Sequence, residues 1–193
     1  MTVQGAFNMP AKVFGSLEES AFNQVVGLKD RLSDINNLLH RTTFNAIANG
    51  LTGPKMMHCT TPMSKHLFSS LQALARPSVE ITLPLVDYVV PNLHRACFFG
   101  LMGNSTIPDT AADLHMMDSG AYYLLSNVPS FARKSLKSRS RLVSALSSYV
   151  QETLENKDVE GASPIITDLI HQLHDDNYSV DESARILLFV FWG

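Results

Sequence analysis

Apolar residues recur along this chain at helical intervals, and punctuation between the stretches is sparse, which predicts helices rather than many short strands. Ser16-Leu17-Glu18-Glu19 has capping-box spacing and opens a short segment toward Val26, closed by Gly27. From Asp34, the positions Ile35, Leu38, Leu39 and Ile47, followed by Asn49-Gly50, predict an amphipathic helix with a glycine stop. Met56 to Leu74 carries Met63, Leu67, Leu71 and Leu74 on one face, and Arg76-Pro77 ends it. Val79, Ile81 and Leu83 alternate like a strand, but Pro84 interrupts them, and Leu85 to Phe99 is the next predicted helix, with Pro91 either kinking or breaking it. Gly100 to Pro108 is expected as loop. Asp109 or Thr110 then caps a helix through Leu114, Met117, Tyr122 and Leu125 that stops before Pro129. A long helix follows with Leu142, Leu146, Tyr149 and Leu154 on one face, and Ser163-Pro164 opens another through Ile166, Leu169, Ile170 and Leu173. His174-Asp175-Asp176-Asn177 is a polar turn, and Ser179 or Asp181 caps the last helix. The predicted class is all-α, with residues 1–193 as a single unit.

Composition narrows what such a unit does. With 193 residues, 45% of them hydrophobic and 17% charged, the chain has enough apolar material for one core without disulfide staples. Fifteen basic against 18 acidic residues leave a net charge of -3, which gives no general electrostatic drive toward nucleic acid or acidic membranes. The two cysteines, Cys59 and Cys97, are too few for a disulfide framework or a Cys-rich zinc site. No stretch approaches the length needed to span a bilayer, and Met1 to Lys12 lacks a signal-peptide pattern. The longest apolar run, Ile186 to Trp192, stops one residue before Gly193. It reads as a helix cut in its middle, which predicts a piece of a longer domain and an apolar surface that needs partners from outside.

Candidate chemistry is sparse. His171 and His174 lie three apart beside Asp175 and Asp176, but nothing else completes a metal-ligand pattern, and a solvated helix end accounts for them. The basic cluster Arg133, Lys134, Lys137, Arg139 and Arg141 could grip phosphates, yet it lacks interleaved aromatics and reads as a solvated face. Methionines at 56, 57, 63, 102, 116 and 117 read as core filling, and Cys97, inside Ala96-Cys97-Phe98-Phe99, as a buried inert thiol. Neither a Gly-x-Ser-x-Gly elbow nor a glycine-rich phosphate loop occurs.

The order of segments resembles one family. Leu85-Val86-Asp87-Tyr88-Val89-Val90 leads to Ala96-Cys97-Phe98-Phe99-Gly100, then to Leu114–Asp118, Asn127-Val128-Pro129 and the basic helix through Arg141 to Tyr149. This is similar to the region of a cytochrome P-450 in which an E-like helix precedes an F helix, a Pro-marked turn and a G helix. Ala184 to Gly193 resembles the first half of the central I helix. Asn36 to Gly53 and Met56-Met57 to Met63 resemble the C and D helix region of the branch of steroid 7α-hydroxylases, prostacyclin synthase and their fungal relatives.

The resemblance implies a partial cytochrome P-450 fold, from the B/C region to the early I helix and truncated within it. The parent would be a haem-thiolate monooxygenase acting on an apolar small molecule, steroid- or terpenoid-like or another secondary metabolite. It would be served by an NADPH-dependent reductase and sit at the endoplasmic-reticulum membrane if an anchor lies upstream. Arg41, with His40, would pair with a haem propionate, although Asn37 stands where the family's tryptophan would be. Phe189, Trp192 and Gly193 would line the substrate side of the haem, unless they are ordinary packing core. No catalytic residue and no metal ligand is expected in this chain. Counting back from Cys97, the ligand string Phe-x-x-Gly-x-x-x-Cys finds Val90 and Leu93, and from Cys59 it finds Thr52 and Lys55; the string Glu182-Ser183-Ala184-Arg185 has Glu-x-x-Arg spacing but runs into the segment likened to the I helix, so it does not supply the family's K-helix pair. Stable haem binding is therefore not expected of this chain alone. The alternative is a non-enzymatic helical interaction or ligand-binding module.

Overall fold

The computed structural model describes residues 22–28, 57–74, 88–103, 110–126, 129–155, 159 and 161–192. Helices account for 87% of the interpretable part and no strand occurs among the described residues, so the fold is mainly α. The predicted helix from Asp34, the capping box at Ser16 and the alternating Val79–Leu83 stretch lie outside the described residues. A single π-helical turn, Phe22–Val26, is closed by Gly27 at φ 78°, a left-handed conformation that favours glycine. Among the described residues seven helices follow: α1 (Met57–Leu74), α2 (Val90–Met102), α3 (Ala111–Ser119), α4 (Ala121–Leu125), α5 (Pro129–Glu155), α6 (Pro164–Asp175) and α7 (Val180–Trp192).

Several boundaries differ from expectation, each for a local reason. Helix α2 starts at Val90 rather than Leu85, so of the two alternatives for Pro91 it is the break that holds. Pro91 stands in the first turn, where an N–H has no intrahelical acceptor to lose. Gly100 belongs to α2 rather than to a loop: it is buried within the helix, and the positive φ falls later, at Gly103. The single helix expected from 110 to 125 is two, broken at Gly120 (φ -102°, ψ 3°). The break is steric. A Cβ at Gly120 would lie 1.7 Å from the Ser135 Oγ, so only glycine lets this backbone touch α5. Thr110 precedes α3 without a side-chain cap, and Ser163 likewise leaves its cap role to Pro164 and instead donates its N–H to the Leu101 carbonyl of α2 at 2.9 Å.

Two helix ends follow the sequence closely. Asn177, at φ 62°, ends α6 in a Schellman arrangement in which Tyr178 N–H donates to the Leu173 carbonyl at 2.9 Å and Asn177 N–H to the His174 carbonyl at 3.0 Å. Ser179 then starts α7 in a reciprocal capping box. Its N–H and hydroxyl both donate to Glu182 Oε2 at 2.8 Å, and Glu182 N–H donates to the Ser179 Oγ at 3.3 Å.

The core forms where α5, α6 and α7 meet α2 and α3. Leu142, Leu146 and Tyr149 on α5 are buried as the spacing predicts, with Leu154 packed against them in part. Burial pushes the Tyr149 phenol up to about 12. Ile186, Leu187 and Leu188 are fully buried on α7, each contributing about 2 kcal/mol by removal from water. The first half of the apolar run thus finds cover within the chain, while Phe189, Phe191 and Trp192 are only half-buried and Val190 is exposed. Met102 and Met117 fill the core as predicted, whereas Met57 and Met116 are exposed.

Along the hairpin, α3 and α4 run antiparallel to α5. Asp113 meets Arg141, the Met116 carbonyl accepts from the Ser135 Oγ at 3.1 Å, and the Tyr123 ring stacks on Phe131. Gly120→Ala forces this hairpin apart at its tightest point. The expected outcome is a loss of about 2 kcal/mol in unfolding free energy by denaturant titration, with little change in helix content.

Candidate functional site

Of the residues that the resemblance marks, Phe189 and Trp192 are described, while Arg41, His40 and Gly193 lie outside the described residues. Phe189 and Trp192 are half-buried on the last turns of α7, packed against the core. The Trp192 Nε1–H donates to the Asp118 Oδ1 of α3 at 3.2 Å, which fixes the indole edge to a neighbouring helix. Between them, Phe191 stacks on Phe98 of α2 with ring centroids 4.5 Å apart and planes 25° off parallel. The result is an aromatic wall where α2, α3 and α7 converge.

Phe191, Phe98 and Asp118 escaped the sequence reading. The run Phe189-Val190-Phe191-Trp192 is apolar on every face, so its pattern does not say which ring meets which helix. Phe98 carried only the weak signal of an aromatic within a short string.

The electrostatics around the wall are those of anchoring. Arg141 grips Asp113 with two donors, Nε to Oδ2 at 2.8 Å and Nη2 to Oδ1, while Nη2 also donates to the Ser138 Oγ at 3.0 Å. The hydrogen bond from Arg141, helped by the Ser138 hydroxyl and opposed by burial, holds the Asp113 carboxyl below its ordinary range. Arg139, expected on a solvated face, is instead half-buried. Its Nη1 donates to the carbonyls of Gln24 at 2.9 Å and Val25 at 3.3 Å, while Arg185 Nη1 donates to that of Val26 at 3.0 Å. Two guanidinium groups thus cap one turn's free carbonyls. Burial, and then the neighbouring Arg185 charge, lowers the Arg139 pKa. Asp181 supplies a counter-charge, accepting from Arg185 Nε at 2.7 Å. Arg133, Lys134 and Lys137 are exposed, as expected.

His171 is half-buried and His174 exposed on α6, and no group of three metal-ligating side chains occurs among the described residues. Cys97 is half-buried on α2, and burial pushes its thiol up. Such a thiol stays protonated near neutral pH, and it lacks the sequence context of a haem ligand.

The Asp113–Arg141 bridge sets a pH dependence of known sign. Because the folded carboxyl titrates below its unfolded range, its stabilisation is complete above the unfolded pKa of about 3.9 and fades as pH falls through the folded value. Acid titration of stability should therefore show a downward step below about pH 4 that is smaller in Asp113→Asn. An identical step in that variant would assign it to other carboxylates.

Compared with known proteins, the chain matches no family model, no curated protein and no solved structure.

Proposed function

We propose that this chain is the substrate-side portion of a haem-thiolate monooxygenase, in which it shapes the apolar space over the cofactor and carries none of the redox chemistry. The observation that supports this reading is the order and pairing of helices. Helix α2 runs through Phe98-Phe99-Gly100, α3 and α4 fold back along the long α5 after Pro129, and the apolar α7 lies beneath them. That is the succession the resemblance implies for E, F, G and I helices.

The residues present do not fit the haem itself. Cys97 is a protonated helical thiol, and neither cysteine has the ligand string. The thiolate of such an enzyme would have to come from sequence outside these 193 residues, and so would its K-helix Glu-x-x-Arg pair, since Glu182-Ser183-Ala184-Arg185 lies on α7 with Glu182 bonded to Ser179 and Arg185 to Asp181 and the Val26 carbonyl. What the chain contributes is the wall. Phe98, Phe191 and Trp192 offer an apolar surface that would exclude water from a bound small molecule, and the Asp118 carboxylate holds the indole in place. The second reading, a helical interaction or ligand-binding module without redox chemistry, draws on the aromatic side chains exposed beyond the wall.

Two measurements test the reading. Reading the transcript past the codon for Gly193 should reveal both missing signatures in frame, and finding neither would overturn the proposal in favour of the helical module. The reduced carbon-monoxide spectrum of the chain mixed with haem should show no stable thiolate-type Soret band. A band that disappears in Cys97→Ala would make Cys97 the ligand and overturn the assignment of the thiolate to other sequence.

A further inference from the structure

Helix α5 is exposed along one stripe, and the charges of that stripe are sorted by sign. Its first half carries the exposed Arg133, Lys134 and Lys137, and its last turn the exposed Glu152 and Glu155, on one face at helical spacing. No acidic residue precedes Glu152 in this helix and no basic one follows Arg141.

That order opposes the helix's own dipole. Carboxylates in a last turn sit at the negative, carbonyl end, and a helix on its own gains from the reverse arrangement. Little within the chain offsets the cost. Among the described residues Arg133, Lys134, Lys137 and Glu152 form no ion pair, and Glu155 accepts only from the Gln151 Nε2 at 3.0 Å. The other two cations of the run are engaged, Arg139 by the carbonyls of Gln24 and Val25 and Arg141 by Asp113.

An antiparallel copy of the same stripe supplies the missing counter-charges. Lys134 lies ten residues before Ser144 and Glu155 eleven after it, while Lys137 lies seven before and Glu152 eight after. A two-fold axis between Ser144 and Ala145 therefore sets each lysine opposite a glutamate at both ends at once, over about 32 Å of helix. Between the charged ends the stripe is small. The Ser140 and Ser148 hydroxyls donate to the Leu136 and Ser144 carbonyls of their own helix at 3.0 and 3.2 Å, so a close neighbour leaves neither without a partner.

We propose that two copies of this chain pair through the exposed face of α5, antiparallel about that axis, with Lys134 on the partner's Glu155 and Lys137 on the partner's Glu152. The occupant is a second copy because the charge pattern closes on itself: one isologous contact pairs all four positions twice, and an anionic partner would meet the two glutamates at the far end. Antiparallel docking also opposes the two helix dipoles favourably. Exposed ion pairs contribute little each, so the dimer is weak and salt-sensitive. The stripe takes no part in the aromatic wall, and the pairing is independent of the monooxygenase reading.

Sedimentation velocity of the full chain over a concentration series tests it. The expected result is a monomer–dimer equilibrium whose dissociation constant rises about tenfold or more between about 20 and about 300 mM salt. Lys134→Glu with Lys137→Glu places like charges opposite one another and should weaken the dimer about a hundredfold. Adding Glu152→Lys and Glu155→Lys to that chain returns both the net charge and the complementarity, and should bring the dimer back to within about threefold of its original strength. In a chain with Cys59→Ser and Cys97→Ser, Ser144→Cys should be linked to its own copy by a short bismaleimide. An unaltered chain that stays monomeric at about 1 mM in low salt would overturn the proposal. Undiminished dimer in the double variant would overturn it by placing the contact elsewhere, and so would a fourfold variant that keeps its helix content yet stays monomeric, or the absence of the Ser144→Cys cross-link.

Discussion

A helical stretch with no polar face must be covered on every side, and the C-terminal half of α7 imposes that demand on the rest of this structure. From Ile186 to Trp192 it offers solvent nothing that water would solvate, so its neighbours are arranged round it. Helix α5 supplies the longest contact, α2 sends Phe98 to stack on Phe191, and α3 receives the Trp192 indole on Asp118. The 22–26 turn lies against the same helix through Val25 and the Arg185 bond to the Val26 carbonyl. Only Val190 among the seven keeps substantial exposure.

Covering α7 creates polar debts at its margins, and the arginines settle them. The turn that ends at Gly27 leaves carbonyls without intrahelical donors, close to the low-dielectric interior. Arg139 from α5 and Arg185 from α7 reach those carbonyls from two directions, which ties three separated parts of the chain to one point. Gly27 is required there twice over. Its φ is left-handed, and a Cβ would stand 2.9 Å from Arg185 Nη1. Like charges at such proximity oppose one another, and the carbonyl acceptors together with Asp181 offset that repulsion.

How much of this was legible in the sequence depends on whether the signal was local. The faces of α5 and α6, the Pro164 start, the polar turn that ends at Asn177 and Ser179 as one of the two expected caps all rest on residues within one or two turns of each other, and the structure holds them, with α6 running on to Asp175 and Glu182 completing the Ser179 cap. Gly120 was not legible as a break, because its reason is Ser135, fifteen residues away on another helix. Arg139 was not legible as a clamp for the same cause: the side chain reads as one of five in a basic run, and its acceptors are more than a hundred residues earlier. At the candidate site, the marked residues Phe189 and Trp192 do lie beside the wall, but its partners Phe98 and Asp118 come from helices whose register only packing decides. Arg41 and His40 fall outside the described residues, so their placement adds nothing to the site.

The hairpin of α3, α4 and α5 joins the wall to the exposed rings of Tyr122, Tyr123 and Phe131 through very little chain. Asp118, which holds Trp192, and Tyr122, the first of those rings, stand four residues apart across Gly120. A break at glycine between two short helices would ordinarily serve as a hinge. Here it does not, because Gly120 is buried against Ser135 and the Ser135 hydroxyl donates to the Met116 carbonyl of the preceding turn. The Asp113–Arg141 bridge pins the other end of α3 to the same helix. With both ends of α3 fastened to α5, Asp118 is held in place by the same long helix that carries Phe131, so the support of the Trp192 indole does not depend on a flexible joint.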